Sequence, residues 1–235
     1  MSSALAVALI IFSAKSSRAV GFQCNPPPDP CLNGAVVPAP DTGATVAPDC
    51  SPIIIDITGS GFHLTSASNG VLFDITGRGM PIQIAWTAPG AANAFLVLDR
   101  DNSGLITSGK ELFGNFTAQA PSPHPNGFLA LAEFDKPENG GNGDGVIDAK
   151  DAIFTSLRLW IDANHDGTSE AGELFRLPDL GVFSISLNYN EVSRTDEFGN
   201  RFRYRAKINQ ANQQEDMSNA GRFAYDIFLT TEPSH

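Results

Sequence analysis

Twelve residues, Asp162-Ala-Asn164-His-Asp166-Gly167-Thr168-Ser-Glu170-Ala-Gly-Glu173, constrain this chain more than any other stretch. Side-chain oxygens stand at positions one, three, five, nine and twelve, so alternate residues can turn inward around one point. Gly167 at six permits the sharp bend, and Thr168 at seven can offer its backbone carbonyl. Glu173 closes the set with two oxygens at once. A cation that takes six to eight oxygens at about 2.3–2.6 Å suits this arrangement, whereas magnesium, with its tight octahedron, tolerates such crowding poorly. His165 falls at a non-ligand position and is expected to face solvent.

Two further stretches repeat the logic with faults. Asp99-Arg-Asp101-Asn-Ser103-Gly104-Leu105 supplies positions one, three and five, with the Leu105 carbonyl at seven. Its twelfth residue is Lys110, a charge opposed to cation binding, so the loop must run to thirteen residues for Glu111 to close it. The third stretch has Asn142, Asp144, Gly145, Val146, Asp148 and Asp151 at positions three, five, six, seven, nine and twelve. Its first position is Gly140, and only a bulge would let Asp135 or Glu138 reach that place. Asp151 is shorter than glutamate and predicts a weaker clasp.

Spacing limits what can surround these loops. Only ten residues lie between Asp151 and Asp162, too few for an exiting and an entering helix of two or more turns each. A short helix carrying Ile153 and Leu157 and running into an extended Leu159-Trp160-Ile161 fits instead, with Trp160 a core anchor. Strand-like runs rich in Ile, Val and Phe cover Pro52 to Ile57, Gly70 to Ile75, Pro81 to Trp86, Val182 to Leu187, Arg201 to Ile208 and Arg222 to Leu229. Gly199-Asn200 predicts a hairpin turn. Short helices are expected over Ser108 to Phe113, Gly127 to Phe134 and Ala149 to Leu157. The expected class is α+β: short β-strands and short helices joined by calcium loops of the EF-hand kind, without a standard helix-loop-helix pair.

Composition agrees with a cation partner and excludes others. Twenty-six acidic against fifteen basic residues give a net charge of −11, the wrong sign for a phosphate backbone, so nucleic acid is not expected. Residues 1–19 read as a signal peptide, since the apolar run Ala4 to Phe12 is too short to span a bilayer and Ser17-Arg18-Ala19 supplies a small-x-small cleavage site. No membrane span is expected later in the chain. Residues 20–50 form a Pro-rich linker holding Cys24, Cys31 and Cys50, for which one disulfide and one spare thiol are expected in an oxidising compartment. Residues 51–231 then make the calcium-binding domain, in a protein that is secreted or held at the cell surface.

The runs Ser51-Pro-Ile-Ile-Ile-Asp-Ile-Thr-Gly-Ser-Gly61, Val71-Leu-Phe-Asp74, Leu98-Asp-Arg-Asp101 through Glu111-Leu-Phe-Gly114, and Asn142-Gly-Asp-Gly-Val-Ile-Asp148 resemble a calcium-binding module of large secreted bacterial proteins of the RTX type. Locally they are similar to dockerin and EF-hand loops. The resemblance spans about Ser51 to Asn190 and implies calcium ligation, not an activity. Two turns depart from its acidic pattern, Asp56-Ile-Thr58-Gly-Ser60-Gly and Asp74-Ile-Thr76-Gly-Arg78-Gly, and are expected to have lost metal.

Catalysis is not expected. The chain has no His-Glu-x-x-His, no Gly-x-Ser-x-Gly and no phosphate-binding glycine loop, and His63, His124, His165 and His235 lack ligand spacing. A secreted hydrolase needs only two carboxylates and stays open as an alternative, as does a dockerin-like adaptor that docks a protein partner. The leading expectation is Ca2+ binding that stabilises the fold or serves a protein or cell-surface partner.

Overall fold

The computed structural model describes residues 50–209 and 222–232. The expected signal peptide, and the linker apart from Cys50, lie outside the described residues. Cys50 itself is disulfide-bonded.

Seven strands make the central antiparallel sheet, and each is a short apolar run that the pleat splits between two faces. In spatial order they are β7 (Leu174–Arg176), β6 (Arg158–Trp160), β4 (Asn93–Val97), β1 (Ile53–Asp56), β11 (Phe223–Phe228), β10 (Arg201–Lys207) and β9 (Asn190–Thr195). Register is fixed by pairs such as Ile54 with Phe95 and Tyr225, and Phe95 with Trp160. Ile53, Ile55, Ala94, Leu96 and Leu159 enter one core; Ile54, Phe95, Val97 and Trp160 enter the other. Burial on both faces explains why β1 and β4 read as unbroken hydrophobic runs instead of alternating ones.

Each face is covered differently. A hairpin of β2 (Val71–Phe73) and β3 (Ile82–Ile84) closes the core around Trp86 and Trp160. The opposite core is closed by β5 (Val146–Asp148) paired with β8 (Ser184–Ser186), and by helix α1 (Gly127–Ala132). Asn126 caps α1 by accepting from the amides of Phe128 and Leu129, each at 3.0 Å. Satisfying two of the helix's unpaired amides in this way lets a six-residue helix persist.

The expected α+β class is therefore wrong. The described residues carry eleven strands, one α-helix of six residues and otherwise only short 3-10 turns. Ser108 to Phe113 reduces to the 3-10 turn Gly109–Glu111, and Ala149 to Leu157 to the turn Ala152–Thr155. Both shorten for the same reason: Glu111 and Asp151 are drawn into their acidic loops, accepting from amides upstream. Gly109 also lies so close to the backbone of Ile75 that a Cβ there would collide with its carbonyl, so the chain passes as a tight turn and not a helix with side chains all round. No pair of helices flanks any of the loops. The loop from Asp162 to Glu173 instead joins the antiparallel strands β6 and β7, whose pairing of Trp160 with Leu174 closes its base. The loop from Asp99 to Glu111 follows β4 and is closed by the bridge between Val97 and Leu112. β9 and β10 are joined by a hairpin as expected, but its turn runs Asp196–Gly199, centred on Glu197 and Phe198 and not on Gly199-Asn200, with Gly199 at φ 89°.

Candidate metal centre

One backbone turn recurs five times in the domain. In each case a carboxylate accepts from the amide of a glycine at position six: Asp56 from Gly61, Asp74 from Gly79, Asp99 from Gly104, Asp135 from Gly145 and Asp162 from Gly167, all at 2.6–2.9 Å. Positions four and six take positive φ throughout, in Gly59 and Gly61, Gly77 and Gly79, Asn102 and Gly104, Gly143 and Gly145, and His165 and Gly167. Glycine at six is favoured because side chains are disfavoured in that left-handed region. The first two turns keep the grip with Thr58 and Ser60, and Thr76 and Arg78, at positions three and five.

At the far end the same economy appears. Glu111 Oε2 accepts from the amide of Thr107, Asp151 Oδ2 from Asp148 and Glu173 Oε2 from Glu170, at 2.7, 2.8 and 3.4 Å. Each donor is the ninth residue of its loop. First and last carboxylates are thus both tied to the loop's own backbone, which folds the turn around a shared centre.

The loop whose acids converge closely enough that they could hold a cation is Asp99 to Glu111. Asp99, Asp101 and Glu111 each place one carboxylate oxygen within 4.8 Å of the others. Glu111 is 3% exposed, and its Oε1 is buried with no hydrogen-bond partner among the described residues. A buried acceptor without a partner costs about 1–3 kcal/mol, more when charged, and the nearest opposing charge is that of Arg100, which interacts with Glu111. Ser103 stands beside them: its hydroxyl and amide hold the Asp101 carboxyl below the ordinary range. Ser103 Oγ also sits 3.2 Å from the Leu105 carbonyl. Lys110 does not join these acids: its carbonyl accepts from Arg100 Nε at 2.7 Å, and its side chain lies over Gly77.

The loop from Asp162 to Glu173 is tighter. Asp162 and Glu173 are 2% and 8% exposed, and indole N–H groups reach both: Trp86 donates to Asp162 Oδ2 at 2.7 Å and Trp160 to Glu173 Oε2 at 3.1 Å. Asn164 Nδ2 bridges Asp166 and Glu170 at 3.0 and 3.3 Å. A hydrogen bond with Glu173, together with desolvation and the charges of Glu173 and Asp166, lifts the Glu170 carboxyl above its ordinary value. Thr168 lies at the exposed rim, its amide 2.7 Å from Asp166 Oδ1. His165 does not face solvent as expected. Its Nδ1 and Nε2 lie 2.8 and 2.9 Å from the carbonyls of Thr87 and Asn69, so the ring ties this loop to the segment that covers the core.

In the third loop, Asn142, Asp144, Asp148 and Asp151 all lie around the turn, and Val146 begins β5. Sequence spacing placed Gly140 at position one, but the grip on Gly145 belongs to Asp135, which also accepts from Gly143 at 3.0 Å. Asp135 was only one of two options in the sequence. The signal that selects it is the amide at position six, which needs an acidic acceptor and finds this one across a 3-10 turn, Pro137–Asn139. Lys150 occupies the cation's side of this loop, 3.0 Å from Asp144 and 3.4 Å from Asp148.

Fold and site together define a β-rich module built on acidic hairpin loops. The SPM domain family model matches residues 53–224, and the chain belongs to that family. A relative, the iron-regulated protein FrpA of Neisseria meningitidis serogroup C, is 38% identical over 152 residues. That match takes in 63% of this chain but 13% of FrpA, so the chain spans a small part of the relative's length.

Proposed function

We propose that this chain is a non-catalytic calcium-binding module that acts outside the cytoplasm, in the medium or at the cell surface. The observation that carries the reading is the buried, unpartnered Oε1 of Glu111 in a residue whose carboxylate converges with Asp99 and Asp101. The second loop, Asp162 to Glu173, supports it through five side-chain oxygen donors and a crowded Glu170. A disulfide at Cys50 favours an oxidising compartment. Among the described residues no helix is long and apolar enough to cross a membrane. The metal's role in this reading is to hold the hairpin loops closed and present a stable surface to a protein or cell-surface partner.

Titration calorimetry with calcium chloride tests it. Two binding events are expected in the range of about 10⁻⁴ to 10⁻³ M that extracellular modules use. Glu111→Gln should abolish one and Glu173→Gln the other. No heat in the unaltered protein would remove the reading.

A further inference from the structure

The loops Asp99 to Glu111 and Asp162 to Glu173 are hydrogen-bonded to each other at the same position of each. Ile106 and Ser169 are each the eighth residue of their loop. Ser169 Oγ accepts from the Ile106 amide at 2.5 Å and lies 3.3 Å from the Ile106 carbonyl, to which it donates. Both residues are buried, at 2% and 1% exposure, so water does not compete for these bonds.

The contact is one link in a longer line. Thr107 follows Ile106 and gives its amide to Glu111 Oε2 at 2.7 Å, while its hydroxyl reaches the same oxygen at 3.0 Å. Glu170 follows Ser169 and gives its amide to Glu173 Oε2 at 3.4 Å. The closing carboxylate of one loop is therefore joined to the closing carboxylate of the other through two peptide units and one serine hydroxyl. A cation that drew Glu173 inward would draw the Glu170 amide after it and tighten the backbone at Ser169. That backbone positions the hydroxyl that holds Ile106, and hence the amide that orients Glu111.

We infer that the two loops form a single cooperative calcium unit, in which filling either one raises the affinity of the other through the Ser169–Ile106 contact. This rests on the calcium reading above and adds to it a coupling that loop composition alone does not require. Coupling between binding sites is reciprocal, so each loop must gain by the same factor from occupancy of its neighbour. Ser169 is a positioning residue here, because it touches neither ligand set directly.

The test is a double-mutant cycle on the full chain, titrated with calcium chloride. Glu173→Gln should weaken the remaining Asp99–Glu111 site about five-fold or more relative to its affinity in the unaltered protein, and Glu111→Gln should weaken the Asp162–Glu173 site by the same factor. Ser169→Ala should leave two sites but abolish that dependence, so that the same substitutions no longer affect the neighbouring loop. If Ser169→Ala does not fold, the reciprocal pair Glu111→Gln and Glu173→Gln decides alone. Two independent, unchanged sites would overturn the coupling while leaving calcium binding intact. No binding at all would overturn both.

Discussion

The indole N–H of Trp86 lies 2.7 Å from Oδ2 of Asp162, a buried bond between residues 76 positions apart in the chain. The other tryptophan, Trp160, repeats the arrangement at Glu173. The two rings are 5.5 Å apart and share the core with Phe95 and Phe73. The first and last acids of the Asp162–Glu173 loop are thereby anchored to the aromatic centre of the domain, and outer-sphere donors of this kind fix ligand orientation.

Because these are the chain's only tryptophans, calcium entering that loop should change intrinsic fluorescence. Trp86→Phe keeps the ring packing and removes the donor. We expect calcium affinity of the loop to fall about 10-fold or more. A titration followed by emission of Trp160 reads the change, and an affinity equal to that of the unaltered protein would mean the indole is only a packing element.

Sequence reasoning found the strands because β1, β6, β8, β10 and β11 are apolar runs bounded by turn residues. It passed over β4, β5 and β7, short strands that run into or out of the acidic loops, and β9, an exposed edge strand with Asn, Glu, Ser, Arg and Thr where a pattern would be. Helices were over-read since one turn of apolar spacing cannot separate a 3-10 turn from a short helix. Oxygen spacing pointed to the late acid Glu111, which converges with Asp99 and Asp101. What spacing could not show was contact between distant segments: Trp86 on Asp162, His165 on Thr87 and Asn69, and Asp135 reaching over a 3-10 turn to Gly145.

Asp135 should matter to folding independently of metal. Its two oxygens hold the amides of Gly143 and Gly145, and it is 8% exposed. Asp135→Ala leaves both donors without a partner, an expected loss of about 2–3 kcal/mol. Chemical denaturation in chelator measures it, and a loss below about 0.5 kcal/mol would show that water replaces the carboxylate freely.

The third loop carries its own cation. Lys150 pairs with Asp144 and Asp148, and hydrogen bonds from Asn142 and then Lys150 hold the Asp144 carboxyl below its ordinary range. The expected outcome of Lys150→Gln is a third calcium site at millimolar calcium, seen as a rise in stoichiometry from two to three. An unchanged stoichiometry would mean that Asp151 is too short to complete the clasp, with or without the lysine.

Asp226 should make stability depend on pH away from the loops. It is fully buried in β11, and burial lifts its carboxyl to about 6, against weaker opposing pulls from Ser51, the Gly127 amide and Arg203. Gly127 donates to Oδ2 at 2.7 Å and Oδ1 has no hydrogen-bond partner among the described residues. The unfolded chain titrates near 3.9, so between about pH 4 and 6 the folded state holds the proton more firmly. Its contribution, about 3 kcal/mol at most, is complete below about pH 4 and is lost as pH rises through about 6. Asp226→Asn keeps an acceptor for Gly127 and cannot ionise. It should flatten this part of the profile and gain on the order of 1 kcal/mol over the unaltered protein at about pH 8. Denaturant midpoints at several pH values, taken in chelator, decide it; parallel profiles would place the titrating group elsewhere.

Calcium should add stability by mass action, and the size of the effect follows from the affinity range. At about 1 mM calcium, sites of about 10⁻⁴ to 10⁻³ M contribute roughly 0.4–1.4 kcal/mol each. Two sites raise the melting temperature of a domain this size by a few degrees, since 1 kcal/mol moves the midpoint by about 2–4 °C. The carboxylates that repel one another at Glu170, Glu173 and Asp166 become neutralised, and the unpartnered oxygen of Glu111 acquires a partner. Magnesium should do less, because it demands a compact octahedron and gives up its water reluctantly. Thermal melts in chelator, magnesium and calcium are therefore expected to rise in that order. Equal midpoints in all three would mean that these loops are rigid turns whose carboxylates the backbone already satisfies.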